Sequence, residues 1–171
     1  CIRDRPVFEQ VFNRASTFPY WFATIALLAA SSSYVNARLV RKLGMRMLTS
    51  IAFRAQVCFS ALVFFVYWLG YFEGQFGFFC FLFWMFSIFF QAGLTMGNLT
   101  ALAMEPVGHI AGTAASLVSA IATIGSVLLA AIVGQFFDGT PVAMIAGVAL
   151  FATLGAISSH RLKWYDRASN A

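Results

Sequence analysis

Apolar residues run in five long stretches, parted by short polar segments: Phe18 to Val35, Met47 to Tyr71, Phe76 to Met104, Ile110 to Val133 and Pro141 to Ile157. Each is near the length that a helix needs to cross a hydrocarbon slab about 30 Å thick, which takes about 20 residues. Inside that slab no water satisfies backbone amides, so a spanning segment bonds to itself, and helices do this. The pattern predicts an all-α, polytopic transmembrane helix bundle of five spans.

The breaks between stretches carry turn chemistry. Tyr71-Phe72-Glu73-Gly74-Gln75 is a short turn that keeps spans two and three adjacent and antiparallel. Glu105-Pro106-Val107-Gly108-His109 ends the third span, because proline cannot continue a helix and glycine frees the turn. Asp138-Gly139-Thr140-Pro141 is a turn of the same kind. The third span is the longest, which implies tilt or protrusion from the slab. Residues 1–17 read as a remnant of an outer loop, 18–163 as the five-helix region and 164–171 as a cytoplasmic tail. The chain opens on Cys1 rather than a methionine, which suggests a fragment.

Composition agrees with a bilayer. Of the 171 residues 61% are apolar and 10% are charged, against roughly 25% charged in soluble domains. The net charge of +5 is no nucleic-acid signal, because the cations cluster. Arg38, Arg41, Lys42, Arg46 and Arg54 follow the first span, and Arg161, Lys163 and Arg167 follow the last. Loops rich in Lys and Arg stay in the cytoplasm. Five spans place both clusters on that side, so the N-terminus is expected outside and the C-terminus inside, as in a bacterial inner membrane protein. Arg54, in the first turns of the second span, is expected to snorkel to the inner surface.

Candidate chemistry is sparse. Cys1, Cys58 and Cys80 are odd in number and form no metal-ligand spacing, so neither disulfides nor a metal centre are expected. No nucleophile sits beside a base, no carboxylates are paired, and no glycine loop cradles a phosphate. No enzyme activity and no cofactor are expected. None of the six acids lies deep in a span, so a proton relay through this chain alone lacks its carboxylate.

Polar stripes do occur at helical spacing. Ser87, Gln91, Thr95 and Asn98 share a face of the third span, a candidate wall of a solute path. Carboxamides in the slab are costly unless wet or paired. Gly112, Ser116, Ser119 and Thr123 form a small-residue stripe on the fourth span, suited to helix packing.

Two segments resemble known sequences. Asn36-Ala37-Arg38-Leu39-Val40-Arg41-Lys42-Leu43-Gly44-Met45-Arg46 resembles the cytoplasmic loop motif of the major facilitator superfamily, Gly-x-Leu-Ala-Asp-Arg-x-Gly-Arg-Arg. Leu39, Lys42, Gly44 and Arg46 match; Ala37 replaces the first glycine, and Arg41 stands at the motif's aspartate. The run from Gly97 to Ser116 looks like the junction between the tenth and eleventh helices of drug-resistance transporters of the Bcr/CflA type. The resemblance covers about Pro6 to Lys163.

It implies that the five spans are the eighth to the twelfth helices of a twelve-helix carrier. The implied activity is proton-coupled efflux of small amphipathic drugs by alternating access. The implied partners are the bilayer, the missing N-terminal half, the small-molecule substrate and protons, with no nucleic acid. Arg38, Arg41, Lys42, Gly44 and Arg46 would form the inner loop motif, and Glu105 with His109 an inner-side latch. A fragment of this kind is expected to be inactive alone. The competing expectation is a non-transporting membrane scaffold or assembly subunit.

Overall fold

In a computed structural model, residues 17–72, 74–136 and 140–169 are described, with side chains for all of these except 18 and 160–169. The expected outer loop before residue 17, Glu73, Asp138 and the side chains of Arg161, Lys163 and Arg167 therefore lie outside the described residues. So does the extreme tail beyond residue 169.

Among the described residues the main elements are α1 Phe18–Leu43, α2 Met45–Trp68, α3 Gly74–Met104, the 3-10 turn Glu105–Ile110, α4 Ala111–Gln135 and α5 Val142–Ser169. All described elements are helical, as the apolar pattern predicts. Three stretches are long and apolar enough to cross a membrane: Met45–Trp68, Gly74–Gln135 and Val142–Ser159. The second is a 62-residue apolar run. It bends where Val107, at φ −121° and ψ 30°, leaves helical geometry behind Pro106. α1 falls outside this group; Ser31, Ser32, Ser33, Arg38, Arg41 and Lys42 dilute its apolar character. Its helix also runs eight residues beyond the expected end at Val35, and the basic loop is thereby the last turns of α1.

At the other end, α5 continues past Lys163 as far as Ser169, where a wet tail was expected after the last span. Cations in the final turns suit the negative end of a helix dipole, which favours continuation.

α1, α3, α2 and α5 lie side by side in that order, and α4 meets α5 and the 3-10 turn at the margin. α1 and α2 join at Gly44, whose φ of +78° is open to glycine and strained for other residues. Its N–H closes α1 on the Val40 carbonyl at 2.8 Å, and its own carbonyl accepts the first α2 bond from Leu48 at 3.1 Å.

The core gathers around α3. Phe78, Phe81, Trp84 and Met85 are fully covered, with Ile25 of α1, Val63 of α2 and Ile145 of α5 against them. Trp21 meets Phe78 edge-on at 5.5 Å, and Phe22 meets Phe89 at 5.4 Å. Lipid tails are as apolar as these rings, so their burial between membrane helices stabilises through close packing rather than through escape from water. Gly93 permits that closeness: a Cβ there would run into the Ser32 hydroxyl of α1. α4 contrasts with the rest, for none of its residues is buried.

Candidate functional site

Polar side chains on α2 and α3 meet within the apolar bundle. Gln56 and Ser60 are one turn apart on α2; Trp84 and Ser87 are one turn apart on α3. The Trp84 indole N–H donates to Ser60 Oγ at 3.1 Å, and Gln56 Nε2 donates to the same oxygen at 3.4 Å. Ser87 Oγ lies 3.2 Å from Gln56 Oε1 and 2.7 Å from the Trp84 carbonyl, both acceptors for its one proton. Gln56 is 3% exposed and Ser60 0%. At that depth each polar atom needs a partner, and this chain supplies one for every buried side-chain nitrogen and oxygen among the described residues.

Beside this network runs a groove of about 280 Å³ between α2 and α3. Leu39 and Leu48 lie at the end nearest the basic residues, and Phe59 and Phe83 at the far end, with Phe86 and Phe90 along one wall. Its polar lining is Gln56, Ser87 and Gln91. Gln56 and Ser87 are committed to each other. Gln91 is half-buried and its carboxamide has no hydrogen-bond partner among the described residues; its main-chain carbonyl accepts from Thr95 at 2.9 Å.

The predicted stripe on α3 divides between two neighbours. Ser87 and Gln91 border the groove with α2. Thr95 is buried and returns its hydroxyl to its own helix. Asn98, 5% exposed, donates from Nδ2 to Asn36 Oδ1 of α1 at 2.8 Å and to the Leu94 carbonyl at 2.7 Å. The four side chains share a face of the helix, but α3 is flanked on both sides, so one stripe serves a groove and a helix contact.

At the basic end, Arg38 lies 4.5 Å from the Tyr34 ring centroid and Arg41 Nε donates to the Ala37 carbonyl at 3.2 Å. Lys42 is exposed. Arg46 Nη2 reaches Glu105 Oε2 at 3.3 Å. Glu105 and His109 were expected to pair with each other. Four residues apart, they would stack on an α-helix, but the break at Val107 takes them off that register; Glu105 instead holds the start of α2 to the bend after α3, and His109 is exposed.

On α4, Gly112, Ser116, Ser119 and Thr123 are all exposed. Ser116 donates to the Gly112 carbonyl at 3.0 Å and Thr123 to that of Ser119 at 2.7 Å, so this stripe bonds within its own helix. Among the described residues no three His, Cys, Asp or Glu side chains gather as metal ligands.

Gln56, Ser60 and Asn36 complete these networks, yet stand out little in the sequence. The signal for the first two was their four-residue spacing on an otherwise apolar span. Asn36 sits in a basic segment where a polar residue draws no notice.

Comparison of the chain with protein-family models, with curated proteins and with solved structures gives no significant match. The likeness to the major facilitators thus rests on the two segments quoted above. What the fold defines by itself is an all-helical membrane protein.

Proposed function

We propose that this chain is the C-terminal part of a proton-coupled secondary transporter of major facilitator type, exporting small amphipathic compounds by alternating access. In this reading α1 to α5 all cross the bilayer as the eighth to twelfth helices. The Arg38–Arg46 end faces the cytoplasm of a bacterial inner membrane. The N-terminal half supplies the opposite wall and the coupling carboxylate.

One observation carries the reading: the half-buried Gln91 carboxamide, without a partner, on an aromatic groove beside the Gln56–Ser87 pair. A carboxamide held unpaired at such depth is costly in a purely structural helix and useful against a solute. The Arg46–Glu105 pair supports it as an inner-side latch, since it joins the start of α2 to the bend after α3 and is exposed enough to open.

The test replaces the residues matching Gln91 and Asn98 by leucine in a complete homologous transporter. Loss of resistance at normal expression for the first, with unchanged resistance for the second, is the expected outcome. Unchanged resistance for both ends the proposal.

The exposed stripe on α4 favours a second reading, an assembly subunit whose partner covers Ser116, Ser119 and Thr123. The reading frame upstream of Cys1 separates the two, since a transporter requires seven further spans in frame.

A further inference from the structure

Arg54 is the cation that the inner loop does not explain. It lies nine residues beyond Met45, about 14 Å of helix rise, which is nearly half the depth of the slab. It is exposed, and among the described residues no acid or hydrogen-bond acceptor meets its guanidinium; Glu105 is taken by Arg46. A charge at that depth needs a partner.

The groove between α2 and α3 runs alongside. From Leu48 to Phe59 it follows eleven residues of α2, about 16 Å of helix rise, of which Leu48 to Ala55 is about 10 Å and lies within the roughly 15 Å of one leaflet's hydrocarbon. Its section nearest the basic end is lined by Leu39, Leu48, Ala52, Ala55 and Leu94, with no polar group among them. Ile51, 43% exposed, and Ala55, also exposed, form an open lip toward the surroundings of the bundle. Arg54 stands directly beside that lip, one residue from Ala55 and one turn from Ile51.

We infer that this section of the groove seats one acyl chain of an acidic phospholipid, whose phosphate is bound by Arg54. The inference goes beyond transport and rests only on α2 crossing a bilayer with its Arg46 end at a membrane surface. The guanidinium snorkels toward that surface along its own apolar stem and meets the phosphate there. Arg38, Arg41 and Lys42 add a general attraction for anionic lipid. Arg54 differs from them in standing on α2, beside the open lip at Ile51 and Ala55. Gln56, Ser87 and Gln91, farther along the groove and short of Phe59 and Phe83, remain for a solute.

The full chain, purified in mild detergent, is titrated with phosphatidylglycerol and phosphatidylcholine of identical chains and read by native mass spectrometry. Phosphatidylglycerol is expected to bind about fivefold more tightly, the factor that one cation near an anionic surface contributes. Arg54→Gln should remove most of that preference and Arg54→Lys should keep most of it. Ala55→Trp, which fills the seat from its exposed side, should weaken both lipids, and Lys42→Gln should change little. A loss with Lys42→Gln equal to that with Arg54→Gln would overturn the inference in favour of a general field. Full binding by Ala55→Trp would overturn it too, since a headgroup alone would then suffice.

A measurement on the unaltered groove guards against misfolded variants. Cys58 is exposed one turn beyond Arg54. A fluorophore there, with Cys1 and Cys80 replaced by serine, should be quenched more by phosphatidylglycerol brominated in its chains than by the matching phosphatidylcholine. Equal quenching refutes the seat.

Discussion

Arg46 and Glu105 are 59 positions apart in sequence and 3.3 Å apart in space, and they bind the turn between α1 and α2 to the bend between α3 and α4. The side chains are 39% and 62% exposed, so water and salt screen the attraction. Exposed pairs of this kind contribute about 0–1 kcal/mol. A double-mutant cycle of Arg46→Gln and Glu105→Gln is therefore expected to give a coupling below about 1 kcal/mol, and to lose it in high salt. A coupling of several kcal/mol would mean that the pair is a structural clamp and not a latch.

Ser60, fully buried, accepts from both Trp84 and Gln56. Ser60→Ala leaves the indole N–H without an acceptor, and should cost about 1–2 kcal/mol in unfolding from detergent by SDS. Ser60→Thr keeps the hydroxyl and should cost less. Trp84 emission reports the same bond, because an indole N–H freed of its acceptor emits further to the blue. An unchanged stability and spectrum in Ser60→Ala would show that the network contributes nothing.

Close approach of α1 and α3 depends on Gly93. Gly93→Ala places a methyl against the Ser32 hydroxyl, and overpacking of this sort costs about 1–3 kcal/mol. Ser32→Gly removes the obstacle. The double variant should recover most of the loss, and failure to recover would place the strain elsewhere.

Much of the fold was legible because lipid imposes one simple rule, that apolar length equals helix. Met45–Trp68, Gly74–Met104 and Ala111–Gln135 fall within three residues of their apolar stretches for that reason. The break at Pro106 was legible through backbone chemistry alone. The loop motif was harder, because α1 absorbs it: hydropathy stops at Val35 while helix propensity carries on through Arg38, Arg41 and Lys42. Least legible was the neighbour of each polar residue. Spacing puts Ser87 and Asn98 on one face of α3, yet only packing assigns Gln56 to the first and Asn36 to the second. Glu105 shows the same limit, for its partner comes from a loop 59 positions away.

Gln91 offers the sharpest trade between stability and use. Its carboxamide is half-buried beside Phe86 and Phe90, has no partner among the described residues and is open to the groove, so the fold sets a polar group with no protein partner on an apolar surface. Leucine in its place has similar bulk and asks for no hydrogen bond. Gln91→Leu is therefore expected to raise stability toward SDS, by about 1 kcal/mol, below what a fully buried unpaired amide costs. Under the proposed transporter reading the same change should weaken solute binding, because the free donor and acceptor are gone. Sites kept for function are commonly less stable than they need be, and replacing them relieves the fold at the expense of activity. Gln56→Leu makes the contrast: it strips Ser87 and Ser60 of a bonded neighbour and should lower stability instead. Thermal denaturation of the two variants in the same detergent reads both signs. A destabilised Gln91→Leu would mean that the carboxamide is already satisfied in the membrane, and the groove would lose its claim on a solute.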